Sequence, residues 1–176
     1  MADPMSAIDI DRLVRDHHVA VYQCAYRLSG TESDAEDLTQ QVFLTAQEHL
    51  AQLRRTEHAR AWLMAILRHL FYKLERRKRR LPLVELDPHF HSLAVEPTEL
   101  EEIDSRALQQ ALDDLPAPFR VVLVMFYFEE CSYREIAERL ELPVGTVMSR
   151  LARGKAHLRD RLHEAAVAAL RAAANR

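Results

Sequence analysis

The chain has 176 residues, of which 48% are hydrophobic and 29% are charged, and its formal net charge is −3. This length and apolar content suffice for one large or two small hydrophobic cores. Three glycines and few runs of β-branched residues favour an all-α fold. No apolar run could cross a bilayer and the N-terminus lacks the features of a signal peptide, so we expect a cytoplasmic protein without membrane insertion.

The charge is unevenly distributed along the chain. Residues 1–80 carry a net charge of +2, residues 81–114 of −8 and residues 115–176 of +3. The first part of the acidic segment, residues 81–104, contains three prolines and shows little helical periodicity. Both features are typical of a flexible tether. We therefore predict two small helical domains, at residues 1–80 and 105–176, joined by an acidic linker at residues 81–104.

Neither a metal site nor a catalytic site is predicted. Cys24 and Cys131 are too few to build a zinc site, and we expect both as buried, reduced thiols. A redox switch that joins the two thiols is the alternative. No nucleophile, carboxylate pair or phosphate-binding loop stands out, so the sequence predicts no enzyme, no cofactor and no small-molecule substrate.

The N-terminal half begins with two amphipathic helices. Apolar residues at helical spacing predict a first helix from about residue 8 to residue 28, which Gly30 stops. Thr31 and Asp34 predict the cap of a second helix. Its outer face carries Asp34, Asp37, Gln40, Gln41 and Leu44. On composition alone we favour an ordinary solvated surface; as a binding surface, this face would suit a partner protein better than DNA phosphates.

A third, longer helix is predicted from Arg60. Its inward residues are expected to be Trp62, Leu63, Ile66, Leu70 and Leu74. Residues 76–80 form the run Arg-Arg-Lys-Arg-Arg. A cation near a helix C-terminus gains about 0.3–1 kcal/mol from the helix dipole, but so many cations repel one another, and an anionic partner explains the run better. For Trp62 we favour a core position, with base stacking as the alternative.

The C-terminal half is predicted to be a compact unit of four helices that ends in a helix-turn-helix. Helical spacing resumes from Leu100 to Leu115, and Pro118 can occupy the first turn of the next helix. Ser132 and Glu135 form the pattern of a capping box at the start of the helix-turn-helix. Pro143 fits the first turn of its second helix, and Glu141 stands where such turns often carry glycine.

The second helix of this motif has an apolar face and a polar, basic face. Val147 and Leu151 are expected to point inward. The opposite face carries Thr146, Ser149, Arg150 and Arg153, which share one side at offsets of three, four and seven. Such a helix fits the DNA major groove, where arginine can bond a guanine edge bidentately. A helical hairpin with a solvated basic face is the alternative.

Gly154 lies inside this second helix. A glycine there costs up to about 1 kcal/mol relative to alanine. We expect it to let the helix backbone pass close to DNA.

Two motifs together resemble the compact extracytoplasmic-function sigma factors of bacterial RNA polymerase, which retain only the second and fourth sigma regions. The second-region motif runs from Asp34 to Phe43 and continues at Trp62-Leu63, before the basic helix. The fourth-region motif comprises Leu115-Pro116 with Arg120, residues 132–137 and residues 145–151. The order, the spacing and the intervening linker agree with that family.

The resemblance implies a factor that binds core RNA polymerase and promoter DNA and is held in check by an anti-sigma factor. It implies polymerase docking through Asp34, Asp37, Leu38, Gln40 and Gln41. It implies contact with the minus-ten element through Trp62, Arg68, His69, Lys73, Arg76 and Arg77. It implies recognition of the minus-thirty-five element by Thr146, Ser149, Arg150, Arg153 and Lys155.

Two other classes of protein remain open at this point. A stand-alone helix-turn-helix regulator would explain the C-terminal half. It would not explain why the N-terminal half carries both the acidic face of the second helix and the basic run at residues 76–80. A sigma mimic would sequester an anti-sigma factor without touching DNA. The presence of Arg150, Arg153 and Lys155 on the recognition helix argues against a mimic.

Overall fold

The structure is a computed structural model that describes residues 9–78 and 105–174, with side chains up to residue 171. The chain falls into two compact units that divide between residues 80 and 81. Every regular element in the described ranges is helical, which confirms the all-α prediction. The predicted linker at residues 81–104 and the end of the basic run, Arg79 and Arg80, lie outside the described residues. None of the described helices is both long and apolar enough to cross a membrane.

The N-terminal unit contains three helices whose ends follow local sequence signals. They are α1 (Ile10–Ser29), α2 (Glu32–Glu48) and α3 (Ala59–Lys78), and two short 3₁₀ turns at Leu50–Gln52 and Thr56–His58 precede α3. Gly30 ends α1 in the left-handed conformation, with φ of 83°. The Thr31 hydroxyl accepts a hydrogen bond from the Asp34 N–H at 3.2 Å and so caps α2. Both predicted signals are confirmed.

Helix α3 packs through a different face from the predicted one. The buried residues of α3 are Ala59, Leu63, Met64, Leu67, Arg68 and Phe71. Of the five residues expected to point inward, Leu63 alone is buried and the other four are half-buried. The helix is therefore turned by about one residue, roughly 100°, from the predicted orientation. Apolar residues occupy more than one side of α3, and packing against α1 and α2 selects the side that carries Leu67 and Phe71.

Trp62 lies at the edge of a small apolar cluster in the N-terminal unit. The buried members of the cluster are Leu13, Leu53 and Ala59, and Trp62 packs against them while it stays half-buried. The predicted core position is therefore met in part, and part of the indole remains accessible.

The C-terminal unit contains the four predicted helices. They are α4 (Ser105–Asp113), α5 (Ala117–Tyr127), α6 (Tyr133–Leu140) and α7 (Val144–Ala174). Residues 121–125 of α5 are all buried and form the centre of the unit. The buried Arg120 donates hydrogen bonds to the carbonyls of Asp113 at 2.8 Å and Leu115 at 2.9 Å, which fixes the loop between α4 and α5.

The helix-turn-helix is confirmed in α6 and the start of α7. The Ser132 N–H donates to the Glu135 carboxylate at 2.8 Å and the Glu135 N–H donates to the Ser132 hydroxyl at 3.3 Å, so the capping box is complete. Because the carboxylate accepts from the Ser132 backbone, the pKa of Glu135 lies below its ordinary value. Glu141 ends α6 in the left-handed conformation, with φ of 54°, although it is not a glycine.

Gly154 serves helix packing and not approach to DNA, so that prediction was wrong. Gly154 is buried, and a Cβ atom at this position would lie 2.8 Å from Cδ1 of Leu123 in α5. Helices α5 and α7 therefore lie close together there, and a side chain on α7 would require Leu123 to move. A Cβ atom at Gly145, near the start of α7, would meet nothing within 4 Å.

Both cysteines are buried, as predicted: Cys24 lies in the N-terminal unit and Cys131 in the C-terminal unit. Their reduced state stays a prediction.

Candidate protein-binding groove and DNA-recognition helix

A groove of about 460 Å³ runs between α2 and α3 in the N-terminal unit. From α2 it is lined by Asp34, Asp37, Leu38, Gln40 and Gln41. From α3 it is lined by Leu70, Lys73, Leu74 and Arg77. All five predicted polymerase-docking residues thus share one groove with Lys73 and Arg77, which were predicted to contact DNA.

The groove has one acidic side, one basic side and an apolar floor. Asp37, Gln40 and Gln41 are exposed on the α2 side. Leu38 is only 5% exposed, so it belongs to the core and forms part of the floor instead of projecting outward. Leu70 and Leu74 complete that floor from α3. Both leucines were expected to point into the core, so their position in the groove was not predicted.

An ion pair links the two sides of the groove. The ammonium of Lys78, near the end of α3, donates to Oδ2 of Asp34 at 2.6 Å. The Thr31 hydroxyl donates to the same oxygen at 2.9 Å. The hydrogen bond from Lys78 is the main reason that the pKa of Asp34 lies below its ordinary value. A predicted docking carboxylate and a cation of the basic run are therefore already paired with each other.

The outer face of α3 combines an aromatic ring with several cations. Trp62, His69, Lys73 and Arg76 recur at spacings of seven, four and three, so they lie on one side of the helix. His69, Lys73 and Arg76 are exposed, as is the neighbouring Arg77. A surface of this kind suits single-stranded DNA, because rings stack on unpaired bases while cations contact phosphates.

Arg68 does not belong to this face. Arg68 was expected to contact the minus-ten element, but the residue is only 5% exposed and lies on the buried side of α3. Because α3 packs through a different side from the predicted one, Arg68 points into the unit. Its side chain is therefore not accessible to DNA in this structure.

The recognition helix presents most of its predicted DNA contacts at the surface. Ser149 is exposed, and Thr146, Arg150 and Arg153 are half-buried on the same side. The Ser149 hydroxyl donates to the Thr146 carbonyl at 3.0 Å. Within residues 9–78 and 105–174, Arg150 and Arg153 form no ion pair. Their guanidinium groups are thus not occupied by carboxylates of the described chain.

Lys155 differs from the other predicted contacts. Its ammonium lies 4.8 Å from the ring centroid of Phe126 and 5.5 Å from that of Tyr127, both in α5. Such a cation–π contact is worth about 0.5–1 kcal/mol at an exposed site. Lys155 lies two residues after Arg153 and so points to a different side of the helix, towards α5. This orientation does not support its predicted contact with the minus-thirty-five element.

The described residues contain no group of three or more histidine, cysteine, aspartate or glutamate side chains placed to hold a metal ion.

Two family models match this chain, one for each unit. A model of sigma-70 region 2 matches residues 13–81, and a model of sigma-70 region 4 matches residues 105–158. The chain is 41% identical over 157 residues to the ECF RNA polymerase sigma factor SigE of Mycolicibacterium smegmatis, covering 86% of this chain but 61% of SigE. It is 31% identical over 158 residues to the ECF sigma factor SigW of Bacillus subtilis, covering 82% of this chain and 83% of SigW.

Solved structures resemble the chain as well. The sigma factor RpoE of Bartonella quintana, in complex with the anti-sigma factor NepR, aligns with a TM-score of 0.69 at 25% identity, over 88% of this chain and 97% of RpoE. CnrH, in complex with the cytosolic domain of CnrY, aligns with a TM-score of 0.60 at 25% identity, over 88% of each chain. The chain therefore belongs to the ECF family of RNA polymerase sigma factors.

Proposed function

We propose that this protein is an alternative sigma factor that binds core RNA polymerase and directs it to promoters. The observation that carries the proposal is the presence of both sigma regions, in order, in one chain. Region 2 lies in the first compact unit, Met1–Arg80, apart from its last matched residue, and region 4 lies in the second, Leu81–Arg176. Sigma factors are not enzymes, and we assign the catalysis of transcription to the polymerase.

Polymerase docking is assigned to the α2 side of the groove. Asp37, Gln40 and Gln41 are exposed next to the apolar floor, and Leu44 is 53% exposed on the same helix. Carboxylates and amides around exposed apolar surface suit a protein partner, because DNA phosphates would be repelled by the acids.

DNA binding is assigned to two separate helices. The outer face of α3, with Trp62, His69, Lys73, Arg76 and Arg77, would hold the separated minus-ten strand. The polar side of α7, with Thr146, Ser149, Arg150 and Arg153, would enter the major groove of the minus-thirty-five element. Each surface contacts few phosphates, so binding by either alone should be weak and sensitive to salt. Tethering both on one polymerase raises the effective concentration of the second contact.

Regulation by an anti-sigma factor in the cytoplasm completes the proposal. The sigma factor RpoE, which this chain resembles, was solved with its anti-sigma factor NepR. We assign an anti-sigma partner to this protein by analogy with that complex.

The test is run-off transcription on fragmented genomic DNA, using core RNA polymerase with and without the protein. We expect new start sites that share two upstream elements at a fixed spacing. Binding to duplex fragments without polymerase, together with no new starts, would indicate a stand-alone regulator instead. Capture of an anti-sigma factor with neither starts nor DNA binding would indicate a sigma mimic.

A further inference from the structure

The surface of the recognition helix divides into two strips. The polar strip contains Thr146, Ser149, Arg150 and Arg153. The second strip, named here the apolar strip, contains Val144, Gly145, Met148 and Ala152. All four residues of the apolar strip are exposed. Their spacing of three and four places them together along one edge of α7, beside Ser149.

Packing inside the C-terminal unit does not explain the apolar strip. Val144 is 41% exposed and Met148 is 52% exposed, although both side chains are apolar. Gly145 has no positive φ, and a Cβ atom there would meet nothing within 4 Å, so alanine would fit. An exposed apolar edge next to a bare stretch of backbone suits a partner that comes close from outside.

The size and position of the apolar strip favour DNA as this partner. A stable protein interface buries about 800 Å² on each side, and a strip of four residues that includes glycine and alanine is far smaller. The apolar strip is also continuous with the polar strip, which is assigned to the major groove. The apolar group that B-DNA offers in the major groove is the C5-methyl of thymine.

We propose that the apolar strip recognises thymine methyl groups in the minus-thirty-five element. Met148 and Val144 make the methyl contacts, and Gly145 allows the DNA to approach the first turn of α7. The polar strip contacts base edges and phosphates, while the apolar strip discriminates thymine from cytosine at adjacent positions. This inference rests on the proposed function, because it requires α7 to lie in the major groove.

The experiment replaces each thymine of the minus-thirty-five element, one at a time, by deoxyuridine. Deoxyuridine lacks the C5-methyl but keeps the hydrogen-bonding groups of thymine. The holoenzyme, formed from core polymerase and the full chain, is tested on a promoter that the run-off experiment identifies. We expect initiation to fall about fourfold at one or two positions, as for one buried methyl-sized group. With Met148→Ala, thymine and deoxyuridine should become equivalent at one of those positions.

Leu170→Ala provides the matched control. Leu170 is 71% exposed on the same helix but lies beyond the recognition segment, so this variant should keep the full deoxyuridine effect. Equal initiation from thymine and deoxyuridine at every position would overturn the inference. So would a Met148→Ala variant that loses anti-sigma binding but keeps the deoxyuridine effect, since the apolar strip would then be a protein contact. In either case, continued promoter-specific initiation would leave the proposed function standing.

Discussion

The two units present their basic helices in different ways. At the end of α3, Lys78 is paired with Asp34 across the groove. On α7, Arg150 and Arg153 have no ion-pair partner among residues 9–78 and 105–174. A partner that binds Asp34 must therefore compete with Lys78, whereas a partner that binds Arg150 and Arg153 displaces no carboxylate of the described residues. In the N-terminal unit, the surfaces proposed for polymerase docking and for DNA contact share one groove.

The two basic helices also differ in how much of their length is packed. Helix α3 buries one whole side, which includes Leu63, Leu67 and Phe71. Helix α7 projects beyond its unit and is anchored near its middle, where Gly154 allows close contact with α5 and Lys155 covers the ring of Phe126. Its C-terminal residues, from 163 to 171, are almost all exposed. The position of the recognition surface thus depends on the packing of α7 against α4, α5 and α6.

The largest expected effect on activity comes from removing two arginines of the recognition helix in the C-terminal unit. We predict that Arg150→Ala with Arg153→Ala lowers promoter-specific initiation at least about 30-fold, since each bidentate contact contributes about 1–3 kcal/mol. Binding to core polymerase should stay unchanged, because α2 is untouched. The measurement is run-off transcription alongside a polymerase pull-down. Arg159→Ala with Arg171→Ala, two exposed arginines further along α7, should remain near the parent activity.

The next effect tests how α7 is anchored. We predict that Gly154→Val destabilises the protein by about 1–3 kcal/mol, because the new side chain would overlap Leu123 in a packed core. Gly145→Val adds the same side chain in open space and should change stability by less than about 0.5 kcal/mol. Urea unfolding of the full chain, followed by circular dichroism, measures both. Equal losses in the two variants would contradict the assigned role of Gly154.

A smaller effect concerns the turn that orients α7. Glu141 adopts the left-handed conformation, which costs a residue with a Cβ atom about 1–2 kcal/mol. Glycine avoids that cost but loses more entropy on folding, so we predict that Glu141→Gly stabilises the protein by about 0.5–1 kcal/mol. Glu138→Gly, at an exposed position inside α6, should destabilise the protein by a similar amount. The two midpoints of urea unfolding should move in opposite directions.

The smallest effect tests the internal pair of the N-terminal unit. Asp34→Asn should lower stability at neutral pH by about 0.2–1 kcal/mol, as for a surface ion pair. Because pairing lowers the pKa of Asp34 in the folded state, its contribution is complete above the unfolded carboxyl value of about 3.9 and is lost as the pH falls through the folded pKa. The difference between parent and variant should therefore shrink in acid. Urea unfolding of the parent and the variant at several pH values measures this difference in stability.

Lys78→Met supplies the complementary measurement for the same pair. It should reproduce the stability loss of Asp34→Asn, and the double variant should lose little more than either single variant. Additive losses would show that the two side chains do not act as a pair in solution.

Local signals in the sequence predicted most helix boundaries. Gly30, Thr31 and the Ser132–Glu135 capping box each mark a helix end through bonds within a few residues, so no distant contact was needed to identify them. The inward positions of Val147 and Leu151 in early α7 were also predicted from helical spacing, and both residues are buried. The family followed from the joint order of two motifs.

Some features of the candidate sites were decided by tertiary packing. Helix α3 is apolar on more than one side, so periodicity could not show that Arg68 would be buried while Leu70 and Leu74 would line a groove. The contact of Lys155 with Phe126 joins residues 29 positions apart.

The sequence by itself therefore determined the helices, their caps and the family, because these depend on neighbouring residues and on motif order. The tertiary structure decided which side of α3 faces outward, why Gly154 is a glycine, and that Asp34 and Lys78 share one ion pair. These features arise where two helices meet. The distance between two helices depends on the side chains of both, which no pattern within either helix contains.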